Sequence, residues 1–137
     1  MARPEVIRKR LERLEEHLGI LQRLREYDED DFLAEPERYG SAERFLQLGI
    51  ETTLDMAAHV SADLELGVVN QSRDLPALFR EHGYIDSSLE ERWIRMIGFR
   101  NILVHDYLDV DRSVVYGILQ HNLDDLRELR RVFARFL

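Results

Sequence analysis

The sequence predicts an all-α protein, an up-and-down bundle of four to five helices. Three observations carry that expectation. Apolar residues recur at spacings of three and four over long stretches, no stretch alternates apolar and polar residues as a half-buried strand does, and the prolines stand at or between the ends of the periodic stretches. There is no internal repeat and no low-complexity segment, so the 137 residues are expected to form a single domain over 1–137. A chain of that length removes roughly two-thirds of its unfolded surface from water, enough for one compact core.

The elements follow in order. Pro4 suits a first helical position, and Ile7, Leu11, Leu14, Leu18 and Leu21 then lay one apolar stripe along a helix expected to end near Tyr27. The acidic run at 28–31 and the pair Glu35-Pro36 read as a connection. Phe45, Leu48, Thr52, Met56, Val60 and Leu64 define a second helix over about 38–66. Residues 67–74 lack periodicity and read as a loop, followed by a short helix opened by Pro76 and stopped by Gly83. Ser87 with Glu90 reads as a capping box at the start of a fourth helix. A last helix is expected from Asp111 or Ser113 through Val115, Leu119, Leu126, Leu129, Val132 and Phe136.

Composition narrows the function classes. The absence of cysteine excludes a disulfide framework and a thiolate metal site. No run of 18 apolar residues and no early apolar leader are found, so a soluble, cytoplasmic protein that does not span a membrane is expected. The formal charge of −8 speaks against indiscriminate nucleic-acid binding, since the phosphate backbone rewards clustered cations. Arg8, Lys9, Arg10 and Arg13 near the start and Arg127, Arg130, Arg131 and Arg135 near the end would form a basic patch if the termini pack together, or solvated faces paired with nearby acids. Asp55, His59 and Asp63 stand at i, i+4 and i+8, a spacing seen in metal-ligand rows, but without carboxylates from another helix they read more simply as cleft-wall or hydrogen-bonding residues, and no metal site is expected.

The stretch FRNILVHDY at 99–107 is the unusual one. It places Arg100, Asn101, His105 and Tyr107 within an otherwise apolar helix, where an unpaired buried polar group costs on the order of 1–3 kcal/mol. At about 100° per residue, Arg100 and Tyr107 share one face and Asn101 and His105 a neighbouring one. Apolar residues from Trp93 to Leu108 surround the remaining circumference, so the helix should be covered on nearly every side, most economically by a second copy of the chain. A purely structural reading is open too, with Arg100 paired to Asp106 or Glu90 and Tyr107 a core aromatic.

Arg100-Asn101-x-x-x-His105 matches the R-x4-H pattern of HEPN domains, and its extension to Tyr107 resembles the R-x4-H-x-Y motif of the HepT-like branch, the toxins of HepT/MntA-type toxin–antitoxin pairs. The stretches ERFLQLGIETTLDMAAHV (43–60), HGYID (82–86) and GFRNILVHDYLDVDRSVVY (98–116) look like the corresponding parts of that branch, so the likeness covers about 3–137. The resemblance implies a metal-independent endoribonuclease without a cofactor, acting on tRNA or mRNA as a homodimer with the motif helices lining a cleft between subunits. Histidine is the side chain suited to moving protons near neutral pH, so His105 would be the general acid or base. Arg100 would hold the scissile phosphate with its planar fork of donors, and Asn101 would orient the imidazole or a phosphate oxygen. Tyr107 matches the tyrosine on which a small nucleotidyltransferase antitoxin, MntA-like, places AMP, which adds charge and bulk where RNA phosphate must sit. The alternative is a non-catalytic HEPN dimer that binds such a transferase or a nucleotide as a scaffold.

Overall fold

The computed structural model describes residues 3–137, apart from the side chain of Tyr107. Seven α-helices follow one another: α1 (Pro4–Leu24), α2 (Glu29–Ala34), α3 (Pro36–Asp63), α4 (Asp74–Glu81), α5 (Ser87–His105), α6 (Arg112–His121) and α7 (Leu123–Ala134), with one 3₁₀ turn at Tyr107–Asp109. No strand occurs among the described residues. The all-α bundle expected from the periodicity is therefore present, built on α3, which touches α1, α2, α4, α5, α6 and α7.

The α1 stripe is buried at Ile7, Leu14, Leu18 and Leu21 and partly buried at Leu11. On α3 the expected stripe is buried only at Met56 and Val60; Phe45, Leu48, Thr52 and Leu64 are partly buried, and the neighbouring residues Leu46, Ile50, Thr53 and Leu54 fill the core because several helices pack around α3. At the other end of the core, Phe79 of α4 meets the edge of Trp93 of α5 at 5.6 Å between centroids and lies 5.5 Å from Phe133 of α7. Trp93 is wholly buried, and its indole N–H donates to Thr53 Oγ1 of α3 at 3.2 Å. A wedge of aromatic rings thus fixes α4, α5 and α7 against the central helix.

Three boundaries differ from expectation, each for a local reason. Residues 29–34 of the acidic connection form α2, because the Asp28 carboxylate caps it by accepting from the Asp31 N–H at 2.9 Å and Phe32 buries itself in the core. The α5 cap is Asp86, which accepts from the Leu89 N–H at 2.8 Å; Ser87 is the first helical residue, and Glu90 pairs with Arg80 at 2.7 Å instead of reaching back. Pro76 is the third residue of α4, which Asp74 starts while accepting from the N–H groups of Asn70 and Gln71. At its far end Gly83 takes φ +77°, so that the Tyr84 N–H reaches the Phe79 carbonyl at 2.9 Å.

The last expected helix is two. Asn122 leaves the helical ladder with φ −118° and ψ 3°, and its amide donates to Asp125 at 3.1 Å. Asp125 is buried and also accepts from Arg92 of α5 at 2.7 Å, while Arg92 holds Glu128 through two hydrogen bonds. Those two carboxylates push the Arg92 guanidinium further above its already high value. A cross-helix ion cluster therefore sets the break, and the apolar periodicity runs through it unmarked.

His17 gives the fold a pH dependence. It is buried between α1 and α3, its ring 5.6 Å from Phe45 and its Nδ1 without a hydrogen-bond partner. Burial first, then Arg13 and Arg44, lower its pKa below the ordinary 6.5 that it keeps in the unfolded chain. The unfolded chain therefore takes up this proton more readily, so the stability present above pH 6.5 is lost as pH falls toward the depressed value. Urea midpoints at pH 7.5 and pH 5.5 should differ, and the difference should shrink in His17→Gln; an unchanged difference would remove His17 as the cause.

Candidate functional site

The site is built on the last turns of α5 where it crosses α3. Arg100 is half-buried and turns its Nε toward Glu51 Oε1 of α3, 3.3 Å away. That Nε is buried and makes no hydrogen bond, because the carboxylate lies off the N–H axis; the contact is an ion pair alone. The same Glu51 oxygen accepts from Gln47 Nε2 at 3.1 Å. On its other side Arg100 Nη1 donates to Asn101 Oδ1 at 2.8 Å. Because arginine has only donors, Asn101 must present its oxygen to Arg100, which leaves the amide N–H groups to face outward.

Arg100 opens into a cleft of about 1130 Å³ bounded by α1, α3 and the loop before α4. Lys9 and Arg13 of α1 also line it and form no ion pair among the described residues, beside Glu12 and Glu16 of the same helix, whereas Arg10 is paired with Asp55. The termini do pack, α1 on α7, but the expected basic patch is partly neutralised: Arg130 pairs with Glu15, and Arg127 bonds Asp124 at 2.8 Å and Gln22 at 2.6 Å.

His105 is the final residue of α5, exposed, with no hydrogen bond or ion pair among the described residues. Five helical steps separate it from Arg100, about 7.5 Å along the axis and about 140° around it. Asn101 and His105 do share a face, yet Asn101 is bonded to Arg100 and not to the imidazole. The face shared by Arg100 and Tyr107 does not form. The helix ends at His105 because Asp106 adopts φ −126° and ψ 32°, and Tyr107 opens a 3₁₀ turn, its side chain lying outside the described residues. Arg100 pairs with neither Asp106 nor Glu90. Around this helix end Ile102, Val104, Leu108 and Val114 stay exposed, at 46%, 38%, 83% and 52%.

The acid–histidine row on α3 is held by α1. Arg3 donates to Asp63 at 3.0 Å and to His59 Nδ1 at 2.9 Å, and Arg10 holds Asp55. An arginine donor requires the His59 Nδ1 lone pair, which puts the ring proton on Nε2. Each member thus has a cationic neighbour where a metal would need a free lone pair.

Sequence reasoning reached Arg100, Asn101 and His105 but missed Glu51 and Gln47. A signal was present: Gln47, Glu51, Asp55 and His59 form a polar row at steps of four beside the apolar stripe of α3.

An all-α bundle whose long C-terminal-half helix ends in Arg-x4-His is a HEPN-like fold. The model of the family described as Ribonuclease HepT-like matches residues 7–133, and the chain belongs to that family. It is 34% identical over 83 residues to the mRNA nuclease HepT of Shewanella oneidensis, a match covering 61% of this chain and 62% of that protein. With the tRNA nuclease HepT of Aphanizomenon flos-aquae the identity is 27% over 113 residues, 82% of this chain and 77% of that one. The solved structure of a tri-AMPylated Shewanella oneidensis HEPN toxin in complex with MNT antitoxin superposes with a TM-score of 0.87 at 26% identity, covering 95% and 97% of the two chains.

Proposed function

We propose that this protein is a metal-independent endoribonuclease toxin, working as a homodimer and silenced by a nucleotidyltransferase antitoxin. The observation that carries the reading is Arg100, held by Glu51 and Asn101 and lining a wide cleft, in the Arg-x4-His spacing that ends at an exposed His105. In RNA cleavage, His105 takes the 2′-hydroxyl proton or gives a proton to the departing 5′-oxygen. The 2′-oxygen bonds phosphorus as the P–O5′ bond breaks, and Arg100 with the Asn101 amide stabilises the charge that builds on the phosphoryl oxygens.

Three further points support the reading. The exposed apolar residues around the helix end are what a second copy would cover, and a dimer would supply a second His105 to the cleft region. AMP transferred from ATP to the Tyr107 hydroxyl, with release of pyrophosphate, would add a phosphate and an adenosine two residues from His105. The neighbour in complex with MNT antitoxin is itself AMPylated. In this reading residues 1–137 act as one HEPN domain in the cytoplasm; no helix of the described residues is long and apolar enough to cross a membrane.

The test is cleavage of total tRNA and mRNA by the unmodified protein in excess chelator, with sedimentation at the same concentration. Chelator-resistant cleavage by a dimer is expected. An inactive, well-folded protein would leave the non-catalytic binding dimer as the better description.

A further inference from the structure

We propose that Glu51, on α3, is the positioning residue of this site, acting through Arg100. The inference rests on the ribonuclease reading and adds to it a residue outside the Arg-x4-His motif.

Arg100 has a long side chain with several rotatable bonds, and a phosphate-binding guanidinium is useful only if its free edge is held in one direction. Two contacts hold it here. Glu51 Oε1 lies 3.3 Å from the buried Nε, and Asn101 Oδ1 takes one Nη1 hydrogen at 2.8 Å. Glu51 at Nε and Asn101 at Nη1 hold the guanidinium from two sides, leaving the Nη2 hydrogens without a hydrogen bond among the described residues. Glu51 is in turn fixed by Gln47 Nε2, which donates to the same oxygen at 3.1 Å. The polar chain therefore runs Gln47, Glu51, Arg100, Asn101 across two helices and ends on the Asn101 N–H groups.

Removing the carboxylate has a defined consequence. The Arg100 Nε–H is buried without a hydrogen bond, so the Glu51 charge is what compensates its burial. Without it the guanidinium gains by swinging out to water, and Asn101 loses the donor that fixes its amide. Both phosphate-facing groups are then misaligned at once, while the core beneath, including the fully buried Trp93 and Ile50, is unaltered.

The experiment compares wild type, Glu51→Ala and Glu51→Gln for cleavage of one defined RNA and for the Arg100 Nε–H NMR signal, assigned by its loss in Arg100→Lys. In Glu51→Ala, kcat should fall roughly tenfold to a hundredfold with KM little changed, at an unchanged melting temperature, and the Nε–H should exchange quickly with solvent. Glu51→Gln keeps the size of the side chain but removes the charge that compensates the buried Nε–H, so its kcat should fall as in Glu51→Ala and its Nε–H should exchange quickly too. A Glu51→Ala protein that cleaves as fast as wild type, or faster, would overturn the proposal, as would an equally protected Nε–H. A lowered melting temperature with unchanged kcat per folded molecule would make Glu51 merely structural. Wild type that cleaves no RNA would instead sink the ribonuclease reading, and the NMR comparison would still decide what Glu51 does to Arg100.

Discussion

His105→Ala is expected to lower RNA cleavage by roughly 10²–10⁴-fold, the contribution of a well-placed general acid or base. The loss should be chemical, because the imidazole packs against nothing in the core: it is exposed at the end of α5 and bonded to no described residue. The melting temperature should therefore stay within a degree or two of wild type, about what an exposed surface substitution allows. RNA affinity should change little, since Arg100 and Asn101 remain to hold phosphate. His105→Gln should behave like the alanine variant, because an amide keeps a hydrogen bond but moves no proton at neutral pH. The measurement is single-turnover cleavage in chelator beside a thermal melt of each protein. Equal rates for wild type and variant would remove His105 from the chemistry.

Trp93→Ala should fail in the opposite manner. Trp93 is wholly buried between Phe79 and Phe133, and its N–H is bonded to Thr53, so truncation opens a large cavity where α4, α5 and α7 meet the central helix. Large-to-small changes of this kind cost about 3–5 kcal/mol, a large part of the ~5–15 kcal/mol that holds an ordinary domain together. The urea midpoint should drop accordingly, and cleavage should fall only as the folded fraction falls. Trp93→Phe, which keeps most of the packing and loses the hydrogen bond to Thr53, should fall between wild type and alanine. A Trp93→Ala protein as stable as wild type would mean that the aromatic wedge does not hold the helices.

These two variants separate what was legible in the sequence from what was not. Helices α1 and α3 announce themselves through long stripes at spacings of three and four, because one face of each meets the core along its whole length. Helix α2 is silent: six residues that bury little beyond Phe32 leave no periodicity to read. The break between α6 and α7 is silent too, since it depends on Arg92, distant in sequence, reaching Asp125 and Glu128. The motif residues were legible from residue type and spacing, and the family match agrees with the resemblance they carry. Glu51 and Gln47 were not, because their role arises only when α3 and α5 pack and bring a carboxylate to the Arg100 side chain. The extension of the motif helix to Tyr107 was over-read, since nothing in the apolar pattern marks where α5 stops.

The end of α5 at His105 also divides the motif by its tolerance of length. Between Arg100 and His105 the chain is continuous helix, so one inserted or deleted residue turns the imidazole through about 100° and shifts it by about 1.5 Å relative to the arginine. Beyond Asp106 the backbone leaves that ladder for an exposed short turn, where a change of length is absorbed locally. Drift by insertion and deletion is thus blocked on one side of the histidine and permitted on the other, so the four-residue interval is fixed by helix geometry while the reach to the tyrosine is free to vary.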